Sequence, residues 1–187
     1  MGYAIEAIRT IIMTKIIKSV CHKIDTLNNY VGKSVSWVTL LLVLTVFTDV
    51  VMRYAFKTSF VFVQELEWHL FAFIFLMGAG YTLFKDGHVR VDIIYQRLSP
   101  KASAWTNIIG VVLFLFPGCY MVIQTAIPFV ISSYSILEGS PDPGGIPYRF
   151  VIKSTIPIGF ALIALQGISM LLKNVMIVMN IPVEKDK

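Results

Sequence analysis

Charge is scarce in this chain. Asp, Glu, Lys and Arg together make up 14% of its 187 residues, against 56% hydrophobic residues, more apolar surface than a water-soluble domain of this size can hide in one core. Cysteine is scarcer still: Cys21 lies in the amino-terminal flank and Cys119 inside an apolar run, which argues against a disulfide. No phosphate loop, nucleophile elbow or Cys/His cluster occurs, so no catalytic apparatus is visible. Glu6, Arg9 and Lys15 interrupt the first apolar cluster, and no small-residue cleavage site follows it, unlike a secretory signal peptide. The net charge of +5 does not imply nucleic acid, because the basic residues stand singly between apolar segments and form no patch.

What the chain does have is apolar length. About 20 apolar residues cross a bilayer as a helix, and four stretches qualify: Ser34 to Tyr54, Glu65 to Phe84, Ala104 to Ile127 and Phe150 to Val175. The expected fold is therefore an all-α integral membrane domain of four transmembrane helices over residues 34–177. The third span continues in apolar residues to Leu137 and is expected to bend at Pro117-Gly118 and at Pro128. Residues 1–33 read as an amphipathic segment on the membrane surface, since Ile5, Ile8, Ile12 and Ile16 recur at helical spacing. Val91, Ile94, Tyr95 and Leu98 suggest a second short interfacial helix, ending at Ser99-Pro100. Residues 178–187 form a tail.

The basic residues set an orientation. Arg9, Lys15, Lys18, Lys23 and Lys33 precede span one; Lys85, Arg90, Arg97 and Lys101 join spans two and three; Lys173, Lys185 and Lys187 close the chain. Arg53, Lys57, Arg149 and Lys153 are all that remain for the other side. The positive-inside rule then makes both termini cytoplasmic. The loop LEGSPDPGGIPYR, residues 137–149, falls on the outer face, where its prolines and glycines favour a compact series of turns.

The stretch VFVQELEWHLFAF, residues 61–73, crowds Glu65, Glu67 and His69 at the start of span two. Glu65 and His69 share a helix face, which suits a metal site, a proton relay or the polar end of a buried helix. A helical di-iron site needs Glu-x-x-His, and here the histidine falls one residue late. Paired haem ligands need matched depth, whereas His22 and His88 lie on the cytoplasmic side and His69 near the outer end. No metal or cofactor site is expected. Asp49 is four residues before Arg53, so these charges can pair on one helix face. The glutamates can serve the first turn of span two, with Trp68 at headgroup level and Glu65 near Arg53 or a partner subunit. Small residues in spans two and four (Gly78, Ala79, Gly80, Gly159, Ala161, Ala164, Gly167) allow close helix contact, and Gln124 and Gln166 can hydrogen-bond across helices. His88 and Asp92 are spaced to share a face, either as a pH-sensitive contact or as a capping connection that fixes the turn.

Arg53-Tyr54 at the end of span one, Glu65 opening span two and FLMGAGYTLFKDGHVRVD, residues 75–92, resemble the small membrane subunit (the DctQ-like Q subunit) of tripartite ATP-independent periplasmic (TRAP) transporters. SPDPGGIPYR and IPIGFALIALQG resemble a branch of that family with a longer outer loop. The resemblance covers residues 30 to 175. It departs at Gln64-Glu65, where many members have two acids, and at Asp49, where many have asparagine.

The resemblance implies a non-enzymatic accessory subunit of the bacterial inner membrane. Its partners are a large (M) membrane subunit carrying the sodium and substrate sites, a periplasmic binding protein that captures an organic acid, and membrane lipids. The expected subunit or lipid contacts are Arg53, Glu65, Trp68, His69, His88 and Asp92; the expected docking loop for the binding protein carries Glu138, Asp142 and Arg149. Two other classes stay open: a self-sufficient oligomeric transporter or channel, and a haem-bearing electron-transfer anchor.

Overall fold

The computed structural model describes residues 2–85 and 98–181, with side chains from residue 12 onward. Helix α1 runs Gly2–Ala55 as 54 residues, about 80 Å at 1.5 Å per residue. Helix α2 runs Val61–Phe84. Helix α3, Pro100–Gly110, passes through a wide π turn at Val111–Leu115 into α4, Phe116–Ser135. Helix α5 runs Phe150–Val178. Among the described residues, four helical rods are long and apolar enough to cross a membrane: Ile12–Ala55, Val61–Phe84, Pro100–Ser135 and Phe150–Val178. The described residues contain no strand.

Local chemistry accounts for the boundaries. Helix α1 stops where Lys57 takes a left-handed conformation, φ 53°, and Thr58 N–H turns back onto the Met52 carbonyl. Ser99 caps α3, its hydroxyl accepting from Ala102 N–H at 3.2 Å, with Pro100 in the first helical position, where a missing N–H costs nothing. Pro117 cannot donate to a carbonyl one turn back. The ladder widens just before it, Phe116 N–H reaching Val111 five residues back, and this is where the bend at Pro117-Gly118 is expected.

Two boundaries differ from the sequence reading. Helix α1 runs unbroken through residue 33, the proposed junction of a surface segment with the first span; no proline interrupts it, and Ser34 and Ser36 return their hydroxyls to the Tyr30 and Gly32 carbonyls. Helix α2 begins at Val61, so no acid falls in its first turn. Glu65 thus does not serve that turn's free N–H groups, and its carboxylate turns elsewhere. The helix expected over Val91 to Leu98, with His88 and Asp92, lies outside the described residues apart from Leu98.

Helix α5 is central, packing against α1, α2, α3 and α4. A third of its most apolar window is buried, against 11% or less in the other spans. The interior is unusually polar: Asp25, Asn28, Asp49, Glu65, Gln166, Ser169 and Asn174 are buried, while Leu40, Leu44, Phe47, Phe71, Phe75 and Phe114 are half exposed or more. Apolar surface turned outward and polar groups turned inward suit a lipid solvent, in which apolar burial drives helix association little and packing and hydrogen bonds drive it instead. Small residues set the packing distance. A Cβ on Gly159 would stand 2.6 Å from the Leu76 carbonyl oxygen, so α2 and α5 approach backbone to backbone there.

Candidate functional site at the two ends of the bundle

The α1–α2 connection and the loop before α5 lie at one end, the loop end; the described termini lie at the other. Each end holds a cluster of polar side chains.

At the loop end, Glu65 is buried, 5% exposed, and turns toward the loop. Its carboxylate accepts from Ser140 Oγ at 2.5 Å, from Ile146 N–H at 2.5 Å and from Arg149 at 3.0 Å. The Arg149 guanidinium also lies 5.6 Å from the Trp68 ring centroid, in range for a cation–π contact. Trp68 in turn lies against His69, centroids 3.8 Å apart, and His69 Nδ1 approaches the Glu65 carbonyl oxygen at 2.6 Å. Arg149 N–H donates to the Glu138 carbonyl at 2.8 Å and closes the loop at its base. Glu138 pairs with Lys153, whose ammonium stands 4.0 Å over the Phe129 ring. The Lys153 contact holds the Glu138 carboxyl below its ordinary range.

The expected partner of Glu65 is thus corrected. Arg53 pairs with Asp49 on its own helix face, as the four-residue spacing allows, and Glu65 pairs with Arg149, 84 residues away. The cause is the angular position of Glu65 on α2, which directs it to α5 and the loop. The structure therefore joins Glu65, Trp68, His69, Glu138 and Arg149 in one cluster and leaves Arg53 in another. Asp142 belongs to the loop's exposed turn, its N–H bonded to Ser140 Oγ at 3.1 Å and its carbonyl accepting from Gly145 N–H. His88 and Asp92 are not among the described residues.

The termini end holds a cluster in which Gln166 bonds across helices as its sequence position suggests, while its other members do not stand out in the sequence. Asp25 on α1 accepts from Gln166 Nε2 and Ser169 Oγ at 2.8 Å each and from Lys173 Nζ at 2.6 Å, all on α5. Asn28, fully buried, donates to Gln166 Oε1 at 2.9 Å. Its Oδ1 stands where a Cβ on Gly80 would be, so α2 closes over the pair. Nearby, Asn107 on α3 donates to Asn174 Oδ1 at 3.1 Å. A signal was available: Cys21, Asp25, Asn28, Gly32 and Val35 recur every three or four residues, as do Gln166, Ser169 and Lys173, so each set forms one helix face. Cys21 and Cys119 are both free thiols and both buried. Among the described residues, no three His, Cys, Asp or Glu side chains converge as a metal site would require.

A buried carboxylate is costly in a bilayer and by default suggests chemistry, but Glu65 and Asp25 each receive three donors from their own chain. Fold and clusters together define a multi-pass helical membrane protein closed at both ends by its own polar groups. The comparisons narrow this class. The family model of the DctQ component of tripartite ATP-independent periplasmic transporters matches residues 42–176, and the chain belongs to that family of inner-membrane permease components. A Haemophilus influenzae protein, provisionally named a TRAP transporter small permease protein, is 28% identical over 109 residues, covering 58% of this chain and 67% of the relative. No solved structure matches the chain significantly.

Proposed function

We propose that the chain is the non-catalytic small permease subunit of a sodium-coupled, binding-protein-dependent TRAP transporter for organic acids. In this role it braces the scaffold of the large membrane subunit and helps to dock the periplasmic binding protein. Both termini are then cytoplasmic, as the bias of basic residues favours, and loop 137–149 faces the periplasm.

The observation that carries the reading is where the charges stand. No Asp, Glu, Lys or Arg occurs between Lys33 and Asp49, Glu67 and Lys85, Lys101 and Glu138, or Lys153 and Lys173. A transporter that moves its own substrate binds it near the bilayer midplane, with broken helices and coordinating polar groups. Here the charged groups of the described residues lie toward the ends of the bundle, and the buried acids Asp25, Asp49 and Glu65 are each engaged by donors of their own chain. Such a body suits a fixed support better than a moving carrier. Substrate choice and ion coupling then belong to the partners.

Co-expression with the large subunit tests the reading. The two chains should co-purify as a stable complex, and failure to do so would count against the assignment. Replacing residues 138–149 by a short Gly/Ser linker should reduce binding-protein-dependent uptake while leaving that complex assembled. Unchanged uptake would remove the loop from the mechanism.

A further inference from the structure

We propose that Glu65 is a positioning residue that presets the outer loop for docking, so that the binding protein meets a surface already shaped from within the bundle. This deepens the loop-docking reading and rests on it.

Three observations converge on Glu65. Its carboxylate collects a side chain, a backbone N–H and a guanidinium from three separate points of the loop: Ser140, Ile146 and Arg149. The loop is also shaped to receive it, because a Cβ on Gly145 would stand 2.6 Å from Glu65 Oε2 and would collide with Ser140 as well. Finally, the anchoring end is helical. Glu65 lies in the second turn of α2, and Trp68 one turn on holds the same Arg149 from another side.

The loop presents its remaining groups outward. Pro141, Asp142, Pro143, Pro147 and Tyr148 are exposed. Proline fixes φ, and tyrosine offers contact area at low rotamer cost, but irregular backbone ordered only on binding weakens the complex by the entropy it loses. Glu65 removes that loss beforehand. Arg149 immediately precedes α5 and is gripped by α2, so a force on the loop reaches both helices.

The test uses the assembled complex of small and large subunits with the binding protein. Glu65→Gln weakens the anchor, and Gly145→Ala blocks its seat from the loop side, so the two variants probe one contact independently. Both should raise amide hydrogen exchange of residues 138–148 at least tenfold and increase the half-saturating concentration of binding protein several-fold, with maximal uptake rate and co-purification unchanged. Unchanged loop exchange in both variants, or a looser loop with unchanged half-saturation, overturns the proposal. The Gly/Ser loop replacement separates the two ideas. If it impairs uptake and these variants do not, only the role of Glu65 fails; if it also leaves uptake unchanged, the docking reading fails with it.

Discussion

Lys173 and Asp25 are 148 residues apart in the chain and 2.6 Å apart in space. The pair ties the last turns of α5 to α1, where Asp25 is 6% exposed and Lys173 28%. Desolvating both charges offsets much of their attraction, but removing one takes a charged partner from the other. Conversely, the Glu138–Lys153 and Glu65–Arg149 pairs join helices to the loop at the far end. The bundle is held by its ends.

Asp25→Ala should therefore lower stability in detergent by about 3 kcal/mol, because Gln166, Ser169 and Lys173 each lose a hydrogen bond to the Asp25 carboxylate. Lys173→Met should also destabilise, and the double variant Asp25→Ala/Lys173→Met should cost less than the sum of the two single losses. Thermal unfolding of the single and double variants measures the coupling. Strictly additive effects would mean that the two side chains do not act as a pair.

The glycines should not be equivalent. A Cβ on Gly159 meets the Leu76 carbonyl oxygen at 2.6 Å, whereas one on Gly167 meets the ends of the Leu115 and Phe116 side chains, and one on Gly118 meets nothing within 4 Å. Gly159→Ala should cost about 1–3 kcal/mol because a backbone must move. Gly167→Ala should cost less, and Gly118→Ala should be neutral or stabilising by about 0.5–1 kcal/mol through helix propensity. Melting temperatures that fail to rank Gly159→Ala lowest would contradict the close α2–α5 approach.

Acid should loosen the base of the loop. The folded-state pKa of Glu138 lies below its ordinary value of 4.5, chiefly through Lys153. A depressed carboxyl contributes its stability fully above the unfolded value and loses it as pH falls through the folded one. Hydrogen exchange at residues 136–139, corrected for its intrinsic pH dependence, should thus be flat from pH 7 to pH 5 and rise as pH falls below the ordinary value of 4.5. Glu138→Gln should flatten the profile. Loosening between pH 7 and pH 5 would assign it to another group.

Cys21 gives a local probe, since its Sγ approaches the Ser169 carbonyl at 3.8 Å beside the Asp25 cluster, while Cys119 lies in α4. In the folded protein both thiols should react slowly with a bulky maleimide, each being 4% exposed. Asp25→Ala should speed labelling at Cys21 several-fold and leave Cys119 unchanged. Equal acceleration at both would indicate global rather than local loosening.

The spans were legible because long apolar runs need no tertiary information, and Asp49–Arg53 because i to i+4 pairing is local. Tertiary partners were not. Nothing in residues 61–73 reveals that Glu65 faces Arg149 rather than Arg53, because that depends on the rotation of α2 against α5. Asp25 lies in a stretch whose isoleucine spacing suggests a surface segment; its significance appears only once the Cys21–Val35 face meets the Gln166–Lys173 face. The π turn before Pro117 shows the reverse case, a distortion that the missing N–H of one residue foretells.

Reconstituted uptake tests the account most directly. Liposomes holding this chain alone, the large subunit with the binding protein, or all three components are compared for sodium-driven uptake of an organic acid. The account predicts uptake with all three together and none with this chain alone. Transport by this chain alone would contradict it, by placing a substrate path inside a bundle read here as a brace.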